Sequence, residues 1–172
     1  VELIPRADLD HVRITYYLRY ANQYAVEEAG GRLTLSHPRN NGGGIHLLGF
    51  LEPEEQHKKF TVEYPAGQEF ALLELDGVNN RIQSGGISAD RVSAELVNAT
   101  LDGELDAKTF TAGGVNSTYD LTLNAETVEF DGLVNSKLNG TMNARRFHAD
   151  SVNSRFTLTL DVREASFDLV NT

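Results

Sequence analysis

The chain has no cysteine and no tryptophan, and only one methionine and four prolines in its 172 residues. Without cysteine there is no disulfide framework, no thiolate metal site and no cysteine nucleophile, so packing and hydrogen bonding must hold the fold. Basic residues are also scarce: 15 Lys and Arg stand against 25 Asp and Glu, a formal charge of −10. That balance repels nucleic acid and anionic membrane surfaces, and polyanionic partners can be set aside. No basic start followed by an apolar run occurs, and no stretch reaches the length of a membrane span. The first residue is Val1 rather than Met. The sequence is therefore expected to be a trimmed piece, with any membrane attachment supplied by segments outside it.

What is present is a repeat. The dipeptide Val-Asn recurs at Val78/Asn79, Val97/Asn98, Val115/Asn116, Val134/Asn135, Val152/Asn153 and Val170/Asn171, in steps of 19, 18, 19, 18 and 18 residues. Such spacing marks one supersecondary unit used many times. With Val as position 1, position 5 carries Ile82, Leu101, Tyr119, Leu138 and Phe156, and position 9 carries Leu105, Leu123, Met142 and Leu160. Positions 11, 14 and 16 are also apolar, as in Ala107, Phe110 and Ala112 or Ala125, Val128 and Phe130. Steps of two within 5, 9, 11 and within 14, 16 are strand alternation, and the three-residue step from 11 to 14 marks a corner. Gly85 and Gly86 absorb one extra residue in the first coil.

The expected fold is all-β: a parallel β-helix, or β-solenoid, with coils of about 18 residues. One coil cannot bury its inward face, but stacked coils make a continuous apolar column in which small Ala beside large Phe lets layers interdigitate. An irregular β-rich segment, residues 1–59, is expected to cap the solenoid of residues 60–172 and cover its first edge. Within the cap, alternation predicts a strand from His11 to Tyr20, with others at Arg32 to Ser36, Ile45 to Leu51 and Phe60 to Tyr64. Asn40 to Gly44 reads as a flexible turn and Leu51 to Lys59 as an exposed charged loop. A degenerate first coil would place Tyr64, Phe70, Leu73 and Leu75 in the core, broken at Pro65.

Chemistry is sparse. His11, His37, His46, His57 and His148 show no metal-ligand spacing, no serine sits in a strand-turn-helix elbow, and no glycine-rich phosphate loop opens a helix. No cofactor is expected. The repeated Asn79, Asn98, Asn116, Asn135, Asn153 and Asn171 read as a structural ladder: Asn tolerates unusual corner angles, and its amide can bond the same amide one coil away. Asn98, Asn116 and Asn139 also sit in Asn-x-Thr triplets, which the repeat composition explains if the ladder amides point inward. Position 17 is acidic at Asp76, Glu95, Asp131, Asp150 and Asp168, with Gly113 the exception. Asp131, Asp150 and Asp168 are thus weak Ca²⁺ candidates, against the simpler reading of a solvated corner. Position 12 alternates in sign, Asp90, Lys108, Glu126 and Arg145, a structural charge ladder. The best binding candidate is Tyr17, standing outward between Arg13 and Arg19 on the N-terminal strand.

Coils such as VNSTYDLTLNAETVEFDG and VNSKLNGTMNARRFHADS, preceded by VEYPAGQEFALLELDGVNN, make the chain resemble a bacterial adhesin-like family, a domain of unknown function. The resemblance is most specific over residues 60–172. It implies an extracytoplasmic β-solenoid that follows a membrane segment or signal and faces outward, in some cases within proteins tied to envelope stress. It implies no catalytic residues. Corners here read Asn-Ser or Asn-Ala where family members often carry Asn-Gly. The functional expectation is a non-catalytic cell-surface interaction module whose partner is a protein or polysaccharide of the envelope. A self-assembling scaffold, joined as a homo-oligomer through the solenoid ends, is the main alternative. A polysaccharide-acting enzyme is the weaker one, since Arg145, Arg146 and Arg163 lack a carboxylate set.

Overall fold

The computed structural model describes residues 1–15 and 60–172, and the backbone of 25–29 and 32–36. Its strands are β1 (Glu2–Arg6), β2 (Arg13–Thr15), β3 (Ala25–Ala29), β4 (Arg32–Ser36), β5 (Thr61–Pro65), β6 (Glu69–Val78), β7 (Arg81–Val97), β8 (Thr100–Val115), β9 (Thr118–Val134), β10 (Lys137–Val152) and β11 (Arg155–Val170). No helix occurs among the described residues. The five long strands are the five complete coils, each running through the corner between positions 11 and 14 as one hydrogen-bonded ribbon, and they pair in parallel in the order β7-β8-β9-β10-β11. The expected β-solenoid is the observed fold.

Register follows the sequence period. Leu101 faces Tyr119, Leu105 faces Leu123 and Ala107 faces Ala125 across β8 and β9, and β9 to β10 repeats the pattern with Tyr119 facing Leu138. Two coils of 19 residues keep register by bulging. Gly86 is the extra residue between the pairs Gly85↔Glu104 and Ile87↔Leu105. Gly132 is the other, lying between Phe130 and Leu133 where β10 has only Asp150 between Ala149 and Ser151.

Each coil closes at the Val-Asn pair because all six Asn residues take a left-handed conformation, φ 50 to 54. Asn reaches that region at lower cost than other L-residues, and the turn does not interrupt the ladder. Asn98 N still donates to Val115 O at 3.0 Å, and Thr118 N to Ala99 O at 2.9 Å. The turn inserts a three-residue step, so position 18 points in, positions 1 and 2 point out and position 3 points in again. The Asn side chains are therefore exposed, and the expectation that their amides point inward is corrected.

The core comprises the expected positions and three more. Position 18 buries Leu96 and Leu133, position 7 buries Leu121, and position 3 buries Ser117, Ser136 and Ser154. The serines are satisfied by backbone: Ser117 Oγ donates to Leu96 O at 2.8 Å, and Ser136 Oγ to Val134 O at 2.9 Å. They also accept from the coil before, as Ser117 N donates to Ser136 Oγ and Ser136 N to Ser154 Oγ, both at 3.1 Å. At position 7 the backbone of Gly140 passes so close to β9 that a Cβ, already strained at φ +122, would lie 1.9 Å from Leu121 O. Aromatic rings at positions 14 and 16 pack from coil to coil, Phe110 on Phe130, Phe130 on Phe147 and Phe147 on Phe167, with centroids 5.4 to 6.1 Å apart.

The first coil edge is covered in two pieces. β1 pairs with the first run of β7, Glu2↔Gln83 and Leu3↔Ser84, and β6 pairs with its second run, Phe70↔Ala89 to Val78↔Val97. Leu3, Tyr64 and Leu75 are buried there, with Phe70 and Leu73 partly so. This is the degenerate coil expected around Tyr64 to Leu75, with β5 ending at Pro65. β1 was not expected: it is short, contains Pro5 and pairs with residues some eighty positions away.

The chain divides into two compact units, Val1–Arg13 with Val62–Thr172, and Ile14–Thr61. Residues 1–13 thus belong with the solenoid rather than with a cap running from 1 to 59. The second unit contains the antiparallel pair β3 and β4, from Ala25↔Ser36 to Ala29↔Arg32. β4 matches the expected strand, whereas β3 was not foreseen. The strand expected from His11 begins only at Arg13, and its continuation to Tyr20 lies outside the described residues, as do Ile45 to Leu51, Asn40 to Gly44 and Leu51 to Lys59.

Candidate interaction face

Positions 4, 6, 8 and 10 alternate with the core residues of the first run and so point outward. From β7 to β11 they place Arg81, Thr100, Thr118, Lys137 and Arg155 in one column, and Gly85, Glu104, Thr122, Thr141 and Thr159 in another. Columns on parallel strands stand about 4.8 Å apart from row to row, and alternate residues along a strand about 6.7 Å. The result is a regular grid of hydroxyl, amide and carboxylate groups.

Side-chain hydrogen bonds hold part of this grid in place. At position 10, Asn143 Nδ2 donates to Asn124 Oδ1 at 2.8 Å, and Asn124 Nδ2 donates to Asp106 Oδ1 at 2.7 Å. Three coils are thereby joined by an outward amide ladder ending on a carboxylate. At the other side of the face, Arg81 Nε donates to Asp102 Oδ1 at 2.7 Å, and Gln83 Nε2 to Asp102 Oδ2 at 3.1 Å. Burial pushes the Asp102 carboxyl up, but the bonds from Arg81 and Gln83 and the Arg81 charge outweigh it and hold the group below its usual range. This position-10 ladder was not singled out from the sequence. Its signal was available in the run Asp106, Asn124, Asn143, Asp161 at coil spacing.

The Asn corner behaves differently. Asn116 Nδ2 donates to Asn98 Oδ1 at 3.1 Å, one rung of the expected ladder, while the shared left-handed backbone is the property common to all six residues. Beside it runs an exposed apolar stripe, Val78, Val97, Val115, Val152 and Val170. Asn98 and Asn116 head their Asn-x-Thr triplets on an accessible corner.

Of the acidic candidates, Asp131 and Asp168 are exposed and Asp150 is half-buried. Asp150 faces Asp168 in register, but the Gly132 bulge takes Asp131 out of line. Among the described residues no group of three or more His, Asp or Glu comes together as a metal ligand set. Farther along the column, the Glu95 side chain lies over Gly113, whose missing Cβ would stand 3.0 Å from both carboxylate oxygens. Burial first, then the charges of Asp76 and Asp131, push Glu95 above the usual carboxylate range. The Tyr119 hydroxyl donates to Gly113 O beneath it, and burial raises this phenol.

In the position-12 ladder, Lys108 Nζ lies 2.5 Å from Asp90 Oδ1. Tyr17 and Arg19 lie outside the described residues. Arg13 is committed to an ion pair, Nε to Glu63 Oε2 at 2.7 Å, and Arg6 Nε lies 3.4 Å from Glu63 Oε1. Arg145, Arg146 and Arg163 are exposed, and Arg146 Nη2 donates to Thr127 Oγ1 at 3.3 Å. His148 Nδ1 lies 2.8 Å from Ser166 Oγ. No described helix is long and apolar enough to cross a membrane. Comparison with protein-family models, with curated proteins and with solved structures found no match for the chain.

Proposed function

We propose that the chain is a non-catalytic interaction module displayed outside a bacterial cell envelope, where the grid of positions 4, 6, 8 and 10 receives a polysaccharide or protein of that envelope. The observation that carries this reading is the hydrogen-bonded column Asp106, Asn124 and Asn143. A prefixed column loses little side-chain entropy when a ligand arrives. Its neighbours Thr122, Thr141 and Thr159 add hydroxyls at the same row spacing, so a polymer with repeating hydroxyl or amide groups can be met by repeated contacts. The charge of −10 favours a neutral or cationic polymer over an anionic one. Outward display rests on the resemblance of the coils to the adhesin-like family, and a role in envelope-stress signalling is a variant of the same reading.

The test has two arms. Protease shaving of intact cells producing the full-length gene product should remove this domain, and survival of the domain would overturn surface display. Immobilised chain should bind a neutral or a cationic envelope glycan, and Thr122→Lys with Thr141→Lys should weaken that binding at least about tenfold by blocking the grid's centre. Binding that ignores both substitutions, or no binding to either probe, would overturn the face assignment.

A further inference from the structure

We infer that the valine column at the corner, with the acidic column beside it, is a docking ridge for a basic amphipathic helix of another protein. The valines of position 1 point outward, and position 17 points outward two residues before them on the same strand, as Glu95 does before Val97 in β7. From coil to coil the valines stand opposite one another in register. Val97, Val115 and Val152 are 41%, 39% and 37% exposed, although each has a paired valine on both sides. Their exposure belongs to the side of the array and not to its ends.

The backbone does not ask for Val at this position. Thr is equally β-branched and suits a strand as well, and it fills outward positions elsewhere, at Thr100, Thr111, Thr122 and Thr141. The corner column holds Val in every row from Val78 to Val170 and Thr in none. At a row spacing of about 4.8 Å this apolar row is about 24 Å long, and the acidic column lies about 6.7 Å to one side of it. Asp76 and Glu95 face each other there in register. Among the described residues none of Asp76, Glu95, Asp131 and Asp150 forms an ion pair with Lys or Arg. Burial, then the like charges of Asp76 and Asp131, hold the Glu95 carboxyl above its usual range, so the column carries charge that the chain itself does not offset.

The two columns together select the occupant. A second copy would set carboxylates against carboxylates, and an anionic lipid surface would meet the same repulsion. Lys or Arg beside an apolar row relieves that repulsion while the row covers the valines. A helix laid along the array suits the spacing, because its turn rises about 5.4 Å, close to one coil, whereas alternate residues of a strand stand about 6.7 Å apart. About 16 residues, with one apolar side chain per turn and Lys or Arg along one flank, match the length of the valine row. The ridge lies outside the grid of positions 4, 6, 8 and 10, so the inference goes beyond the proposed interaction face and does not depend on it.

Titration of the 172-residue chain against a fluorescently labelled amphipathic helical peptide of Leu and Lys, read by anisotropy, tests it. The peptide should bind with a dissociation constant of about 1 to 100 μM, and its counterpart with Glu in place of Lys should not bind. Val97→Thr, Val115→Thr and Val152→Thr combined keep the charge and the β-branched backbone preference, and should weaken binding about tenfold. Asp131→Asn with Asp150→Asn should weaken it to a similar extent. Glu126→Gln with Glu164→Gln removes the same charge from exposed positions outside the ridge and should leave binding within about twofold of the parent. No binding, binding indifferent to the valine substitutions, or an equal loss in the Glu126 and Glu164 variant would each overturn the inference. It would equally fall if the chain alone sediments as a dimer that the valine substitutions dissociate, since the ridge would then be an interface between copies.

Discussion

Phe130 and Phe147 occupy consecutive coils but different columns, position 16 and position 14, and their rings meet tilted with centroids 6.1 Å apart. Phe130 in turn packs on Phe110 of the coil before, and Tyr119 meets its edge at 5.4 Å. The aromatic side chains thus zigzag along the core, each opposite a smaller residue: Phe130 faces Ala112 and Ala149, and Phe110 faces Val92 and Val128. Offset and edge-on contacts are the favoured arrangements of aromatic rings.

Phe130 is the centre of that chain of rings and is fully buried. Phe130→Ala should therefore cost about 3 to 5 kcal/mol, a fall in melting temperature of roughly 10 °C or more, measured by thermal denaturation. A loss under about 1 kcal/mol would mean that the neighbouring coils close over the cavity.

The serine ladder has a gap at Ala99, which occupies position 3 and is buried. A hydroxyl there would have Val97 O and Gly77 O where Ser117 has Val115 O and Leu96 O. It would also stand next to Asn80 Oδ1, which is buried without a hydrogen-bond partner among the described residues. Ala99→Ser should raise stability by about 1 kcal/mol, or roughly 2 to 4 °C. A lower melting temperature would show that the site has no room for the oxygen.

The corner separates backbone from side chain in one experiment. At Asn116, φ 53, Ala should cost about 1 to 2 kcal/mol because its Cβ strains the left-handed turn. Gly should cost less, since it enters that region freely and loses only the bond to Asn98 Oδ1. Equal losses in Ala and Gly would make the amide, rather than the turn, the reason for Asn.

Two carboxylates should respond to pH with opposite sign. Asp102 is held below its usual value of 3.8, so its ionised form adds stability above that pH, and the contribution disappears as pH falls through the folded value. Asp102→Asn should lower the melting temperature at pH 7 and close the gap to the parent as pH drops below 3.8 and on through the folded value. Glu95 is raised above 4.5, so its ionised form opposes folding at neutral pH, and the penalty lifts on protonation. Glu95→Gln should raise the melting temperature at pH 7 and make no difference below about pH 4. Curves that shift in the same direction would contradict the two environments.

The coil period was legible because Val and Asn perform one backbone task six times, and a task fixed by φ leaves the same residue each time. Positions 5, 9, 11, 14 and 16 were legible because their columns stay apolar. Position 7 was not, since Ser84, Gly103, Leu121, Gly140 and Leu158 answer to how closely two backbones approach rather than to hydrophobicity. Position 3 was missed because buried Ser reads as polar, and its burial depends on carbonyls up to twenty-two residues away, such as Gly114 O for Ser136. The direction of the Asn amides was misread because simple alternation does not carry across a left-handed residue. The outward grid was latent in the same pattern, once the inward columns were known.

The left-handed Asn has a consequence for descent as well as for shape. Since each corner closes on its neighbour through the same backbone bonds, a gene segment encoding one whole coil could be copied or deleted with every junction preserved. The array can therefore change in reach by whole rungs while a single-residue change must be absorbed on the spot, as Gly86 and Gly132 absorb theirs. Tandem duplication offers such a protein a ruler: natural variants should differ in coil number far more readily than in coil length.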